Sequence, residues 1–187
     1  MKKFLAALLV ALCGFVSLFA DDIADVKAVI VKDCELAAEG DFLGAAARWM
    51  PDYREISSEG TFTYAQAQRA FVSLDGKHPE EFLLTTAMVK NGVEPNPDLA
   101  EGIHLLAQEP DFLKDYPIRA KRMADMIKAA AALELKTTKF VDIKVNEDKA
   151  TAVLTYRHIN GGTRRETLSL RKIDGAWRIS RRVIEAE

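Results

Sequence analysis

The sequence predicts an α+β fold in which helices precede a curved antiparallel sheet. Up to about residue 135 the apolar residues recur at helical spacing, and from Lys136 onward they alternate with polar residues, as along a half-buried strand. Asp174-Gly175 lies between two alternating runs and is a strong signal for a two-residue hairpin turn. Because the two patterns are segregated along the chain, the helices are expected to pack together on the sheet.

The composition is that of one ordinary folded domain. The chain has 187 residues, of which 49% are hydrophobic and 29% charged, enough for a sizeable core. Its 26 basic and 28 acidic side chains give a formal charge of -2. This balance lacks the positive excess of a dedicated nucleic-acid binder, so no nucleic-acid partner is expected.

The first twenty residues have the pattern of a secretory signal peptide. A basic start at Lys2-Lys3 is followed by an apolar run over 4–19, and Ala20 precedes two acidic residues. The run is shorter than the roughly 20 residues that span a bilayer. Cleavage after Ala20 is expected to leave an exported domain of residues 21–187, periplasmic or secreted, without a membrane span; a retained anchor is the alternative. Cys34 then has no partner for an internal disulfide.

The helical part is predicted in two blocks. In the first, residues 22–50 form two helical pieces separated at Gly40-Asp41, a short strand covers 53–58, and another helix follows. In the second, about 75–135, prolines lie near the start of successive helix-compatible runs, which indicates a helical insertion. Its predicted helices cover about 79–90, 97–108 and 116–134, with a turn at 110–114.

The C-terminal part is predicted as a four-stranded meander. Alternation over 141–145, 150–159, 165–173 and 177–184 marks the strands, and Asn160-Gly161-Gly162 and Asp174-Gly175 supply hairpin turns.

Together these segments resemble the nuclear transport factor 2-like superfamily, which includes polyketide cyclase-like and ketosteroid isomerase-like proteins. The motifs that carry the resemblance are Glu39-Gly40-Asp41, Arg48-Trp49-Met50 and the hairpin with Asp174-Gly175-Ala176-Trp177-Arg178. The resemblance covers about 22–74 and 136–185. It implies a curved sheet wrapped around helices to form a cone, whose cavity binds small, largely apolar ligands, often in a homodimer.

Two departures argue against ketosteroid-type isomerisation. The position that best matches the general-base carboxylate of the isomerase-like members holds Ser57, and a hydroxyl cannot take up a proton at neutral pH as a carboxylate does. No tyrosine precedes Tyr53 in residues 21–187, so the helix-borne oxyanion donor has no match. Asp52 and Glu55 are interpreted as a cap or a solvated strand end.

Alternation places Tyr156 and His158 on the same strand face as the apolar Ala152 and Leu154. If that face lines the cavity, they form a hydrogen-bonding pair with a group that titrates near physiological pH; otherwise His158 lies at the wet end of the strand. Arg164 and Glu166 are interpreted as an exposed cross-strand pair.

No metal or cofactor is predicted. The sequence has no His-Glu-x-x-His, no Cys-x-x-Cys and no glycine-rich phosphate loop.

Three functions remain open. The preferred one is an exported, non-catalytic module that holds a small apolar or amphipathic ligand, with Trp49, Tyr53, Tyr156 and His158 as candidate lining. The second is a lyase or isomerase that acts on a carbonyl compound, with His158 as general acid or base and Tyr156 as its partner. The third is a protein-interaction or dimerisation subunit that uses the outer sheet face or the helical insertion.

Overall fold

The computed structural model describes the backbone of residues 2–58, 60–91 and 96–186 and the side chains of residues 21–58, 60–87 and 96–185. The side chains of the predicted signal peptide lie outside the described residues. The helices are α1 (Lys2–Glu39), α2 (Phe42–Ala46), α3 (Tyr64–Ser73), α4 (Pro79–Asn91), α5 (Pro97–Leu106) and α6 (Pro110–Thr137). The strands are β1 (Trp49–Ser57), β2 (Gly60–Thr63), β3 (Lys139–Asn146), β4 (Lys149–Arg157), β5 (Thr163–Ile173) and β6 (Ala176–Ala186). In the described part of the chain, no helix has the length and apolar character that a membrane crossing needs.

The six strands form one curved, unclosed sheet with the order β2-β1-β6-β5-β4-β3. The four C-terminal strands make the predicted antiparallel meander. However, β1 pairs in parallel with β6, so the six-stranded sheet as a whole is mixed. A parallel pair needs a long crossover connection, which the intervening helices and strands supply here. Alternation along a strand does not reveal the direction of its partner.

The first strand begins earlier than the sequence predicts, at Trp49 rather than Tyr53. Pro51 lies inside β1, where the register with β6 shifts between Trp49 and Arg54. A proline has no N–H to donate, so strand interiors tolerate it at such irregularities. The short strand β2, which the sequence analysis did not predict, then folds back on β1 through Gly60, whose φ of 134° favours glycine.

The last helix of the insertion is longer than predicted. A turn was expected at 110–114, but α6 runs without interruption from Pro110 to Thr137 and contains Pro117. It packs beside α1, and both helices contact the sheet.

The core lies between these helices and the inner face of the sheet. Val26 and Ile30 of α1 face Leu168 and Leu170 of β5 and Ile179 of β6, all fully or nearly fully buried. Asp22 of α1 also contacts the sheet, because its Oδ1 accepts hydrogen bonds from Lys172 Nζ at 2.6 Å and from Trp177 Nε1 at 3.3 Å. Residues 21–39 of α1 therefore form part of the folded domain.

Candidate functional site

An arginine lies at the centre of the inner sheet face. Arg182 of β6 is opposite Leu168 of β5, a residue with no exposed surface, and opposite Glu55 of β1. Cross-strand partners project from the same face of a sheet. The guanidinium therefore points toward the helices rather than to solvent, and its side chain is 16% exposed.

Three carboxylates from three different elements surround Arg182. Its Nη2 donates a hydrogen bond to Asp33 Oδ2 of α1 at 3.0 Å. Its Nε lies 2.9 Å from Glu166 Oε1 of β5, an ion pair in which the N–H is not aligned for a hydrogen bond. Its Nη1 lies 3.7 Å from Glu55 Oε2. These four residues are called the Arg182 cluster below.

Two carboxylates of the Arg182 cluster also accept a hydrogen bond from an aromatic side chain. Trp49 Nε1 donates to Asp33 Oδ1 at 2.7 Å, and the Tyr53 hydroxyl donates to Glu55 Oε2 at 3.1 Å. The nearby Tyr156 side chain lowers the pKa of Glu166 and so partly opposes the effect of burial. Buried polar groups that are satisfied in this way hold one geometry.

Burial raises the pKa of Asp33 and of Glu166, and the positive charge of Arg182 opposes both shifts. The pKa of Arg182 is raised well above its usual value, because the surrounding carboxylates outweigh the effect of its burial.

A fourth carboxylate, Glu134, reaches the site from α6. Burial raises its pKa to about 7; the charge of Arg182 opposes this shift, and the charges of Glu166, Glu55 and Asp33 add to it. Among the described residues, no hydrogen bond or ion pair engages the Glu134 carboxylate. It is therefore a carboxyl group that exchanges its proton near neutral pH inside the fold.

Two cavities meet at these side chains. The polar cavity has a volume of about 270 Å³ and is lined by Glu55, Ser57, Ser58, Glu134, Tyr156, His158, Arg164, Arg182 and Ile184. The apolar cavity has a volume of about 280 Å³ and is lined by Asp33, Cys34, Ala37, Phe42, Ala45, Trp49, Glu55, Phe62, Phe71, Ile127, Ala130, Ala131, Glu134 and Arg182. Glu55, Glu134 and Arg182 line both, so they form the boundary between the two cavities.

The structure distributes the four predicted site residues between these cavities. Tyr156 and His158 line the polar cavity, and Trp49 lines the apolar one. Tyr53 lines neither: it is 1% exposed and stacks on Trp49 with ring centroids 4.3 Å apart. Its hydroxyl nevertheless donates a hydrogen bond to Glu55, which lines both cavities.

His158 lies just beyond the end of β4, at the half-exposed edge of the polar cavity. The ring Nδ1 of His158 accepts a hydrogen bond from the Asn160 backbone N–H at 3.3 Å. The backbone N–H of His158 donates to the Gly162 carbonyl at 3.2 Å. The turn thus orients the ring. Both sequence interpretations apply in part, because the residue is at the strand end and also lines a cavity.

Two sequence interpretations are wrong. Glu166 is 5% exposed and forms an ion pair with Arg182, so it does not belong to an exposed pair with Arg164. Glu55 lies within the site, whereas Asp52 lies outside it in a pair with Arg171. Alternation with the buried Tyr53 places Glu55 and Ser57 on the inner face.

Sequence reasoning missed Asp33, Glu134 and Arg182. Asp33 follows Val26 and Ile30 on the apolar stripe of α1, and Glu134 follows Ala131 on that of α6. A charged residue inside an apolar stripe was the available signal. Arg182 carried no such signal. The register of β5 and β6 shifts between Ser169 and Leu170, so simple alternation along β6 does not predict which face Arg182 occupies.

The fold is similar to those of several solved structures. A protein of unknown function from Mycobacterium tuberculosis gives a TM-score of 0.48 at 16% identity, over 92% of this chain and 75% of that one. A nuclear transport factor 2-like protein of unknown function from Silicibacter pomeroyi gives a TM-score of 0.46 at 16% identity, over 90% of this chain and 98% of that one. A nuclear transport factor 2-like protein with a cystatin-like fold from Novosphingobium aromaticivorans gives a TM-score of 0.45 at 13% identity, over 94% of this chain and 87% of that one.

Two of these structures are described as nuclear transport factor 2-like proteins, the superfamily that the sequence resembles. No protein-family model matches the sequence, and no curated protein is significantly similar to it.

The two cavities offer distinct chemistry. The apolar one can enclose a hydrocarbon or aromatic group, and the boundary residues can orient a polar group or exchange a proton with it. Within the described residues, no set of three or more histidine, cysteine or acidic side chains is placed to hold a metal ion.

Proposed function

We propose that this protein is an exported binding module that holds a small amphipathic molecule between α1, α6 and the sheet. The observation that carries the proposal is a mainly apolar cavity whose lining also includes the charged side chains of Asp33, Glu55, Glu134 and Arg182. Small-molecule sites combine mostly apolar walls with a few fixed polar groups that set the orientation of the ligand. Both parts are present at this site.

The polar groups are held in place before any ligand arrives. Arg182 is fixed by Asp33 and Glu166, and Asp33 is held in turn by a hydrogen bond from Trp49. Preorganised groups lose little conformational freedom on binding. This arrangement supports a binding role with a defined ligand orientation.

Native mass spectrometry of protein purified gently from its exported compartment tests the proposal. We expect a mature chain that begins at Asp21 and carries a discrete small molecule, which denaturing extraction releases. Ala130→Phe fills the apolar cavity and should remove the bound mass. Ala129→Phe, on the exposed side of the same helix, is the matched control and should retain it.

An empty wild-type protein that also binds none of a panel of apolar molecules would contradict the binding role. A chain that keeps residues 1–20 after export would contradict only the predicted cleavage. The two parts of the proposal are thus tested separately.

A second candidate is acid–base catalysis on a carbonyl compound, as a lyase or isomerase. The observation in its favour is Glu134, a carboxyl group with a pKa of about 7 that faces both cavities near Tyr156 and His158. A general acid or base works best with a pKa near the working pH. Loss of turnover in both Glu134→Gln and His158→Ala, with folding intact, would support this role; turnover that persists in both would exclude it.

A further inference from the structure

The charged side chains that line the apolar cavity are unbalanced. Three carboxylates, Asp33, Glu55 and Glu134, face it with a single guanidinium, Arg182. In the polar cavity the numbers are equal, since Glu55 and Glu134 are accompanied by Arg164 and Arg182. The excess of carboxylates is therefore specific to the cavity with apolar walls.

Arg182 is already engaged by its own neighbours. It donates a hydrogen bond to Asp33 and lies 2.9 Å from Glu166, which approaches from the sheet. Glu55 is more distant, at 3.7 Å, and Glu134 has no hydrogen bond or ion pair among the described residues. The carboxylates that remain to meet a ligand are thus Glu134 and Glu55.

The aromatic walls of the apolar cavity suit a cation that is attached to an apolar group. Phe42, Phe62, Phe71 and Trp49 line the cavity, and Phe71 contacts both Phe42 and Trp49, with ring centroids 5.6 and 6.0 Å apart. Aromatic faces attract ammonium groups as well as hydrocarbons. An anionic ligand would meet the uncompensated carboxylates, and a neutral ligand would leave them without a counter-charge.

We infer that the ligand is an amphipathic amine, whose ammonium group lies beside Glu134 and Glu55 and whose apolar body lies among the aromatic walls of the apolar cavity. This inference rests on the proposed binding function and adds the chemical class of the ligand. It commits to a single positive charge on a body small enough for a cavity of about 280 Å³.

Calorimetric titration with three matched probes tests the inference. The probes are 2-phenylethylammonium, 2-phenylethanol and phenylacetate, which share an aromatic body and differ in charge. At pH 8 we expect the ammonium to bind at least tenfold more tightly than the alcohol, and phenylacetate to bind more weakly than either. Ala130→Phe should weaken the binding of the ammonium and the alcohol alike.

The variant Glu134→Gln tests whether the Glu134 carboxylate causes the preference for the ammonium over the alcohol. Glu134→Gln should lose most of the advantage of the ammonium over the alcohol while the alcohol binds as before. Glu109→Gln, an exposed residue at the start of the same helix, should leave the preference unchanged. Thermal unfolding of each variant shows that a lost preference does not reflect a lost fold.

The outcomes distinguish a failure of this inference from a failure of the proposed binding function. If the ammonium and the alcohol bind equally to the wild type, the cavity binds ligands but the amine class is wrong. A preference that survives in Glu134→Gln overturns the assigned position of the ammonium. If none of the probes binds, the inference fails, and native mass spectrometry then decides the proposed function independently.

Discussion

Arg182 Nη2 and Asp33 Oδ2 are joined by a hydrogen bond of 3.0 Å between two residues 149 positions apart in the chain. The contact connects the last strand of the sheet to α1 across the core. Because both side chains are largely buried, each depends on the other to balance its charge. The same contact shapes the boundary between the two cavities, so fold stability and site geometry rest on one set of side chains.

Arg182→Met should destabilise the protein strongly at pH 8. It leaves Asp33 and Glu166 buried without their positive partner, and loss of one member of a buried ion pair costs about 3–5 kcal/mol. The loss should shrink from pH 8 toward pH 5, because buried carboxylates with raised pKa values take up protons at a higher pH than ordinary carboxylates do. Urea unfolding at both pH values measures this. Arg181→Met, at an exposed position of the same strand, is the control, and an equal loss there would contradict the argument.

Glu134→Gln should stabilise the protein above pH 7. The raised pKa of about 7, against a usual value of 4.5, means that ionisation opposes folding. This penalty is absent below pH 4.5, grows up to pH 7 and is constant above it, at up to about 3 kcal/mol. The carboxylates of Glu166, Glu55 and Asp33 and the guanidinium of Arg182 face the group.

The measurement for Glu134→Gln is the free energy of unfolding from pH 4 to pH 8. The difference between variant and wild type should open only as the pH rises through this range. A constant difference at all pH values would show that titration of Glu134 is not its cause.

Trp49→Phe should cost about 1–3 kcal/mol beyond the small loss of apolar area. Asp33 Oδ1 loses its hydrogen-bond donor at 2.7 Å, and a buried acceptor without a partner is costly. Trp177→Phe is a matched control, because its indole donates to the more exposed Asp22 at 3.3 Å and should matter less there. Chemical denaturation compares the two, and a larger loss at Trp177 would refute the ranking.

Cys34 should react slowly with maleimide at pH 8. Burial raises the pKa of its thiol to about 12, and the thiolate is the reactive form. In a Cys13→Ala background, the labelling rate should rise many-fold in urea. The thiol introduced by Ala28→Cys, at an exposed position of the same helix, should react quickly without urea. Similar rates for the two thiols in the folded protein would contradict this.

Local patterns accounted for most of the elements. The predicted meander is present, and the Asp174-Gly175 turn has the positive φ values, 50° and 79°, that such a hairpin requires. Asn96 caps α5 because its side-chain Oδ1 accepts a hydrogen bond from the Leu99 N–H, and Pro97 occupies the first helical position. The predicted start of the first strand at Tyr53 and the predicted turn at 110–114 were wrong, because β1 continues through Pro51 and α6 continues through Pro117.

The sequence by itself determined the α+β class, the order of the C-terminal strands and the buried face that holds Tyr156, since these follow from the period of apolar residues and the chemistry of turns. Only the tertiary structure decided that β1 pairs in parallel with β6 and that Asp33, Glu55, Glu134 and Glu166 gather around Arg182. These residues come from five elements. No local pattern reports which distant charges share a buried space, because that depends on strand partners and register.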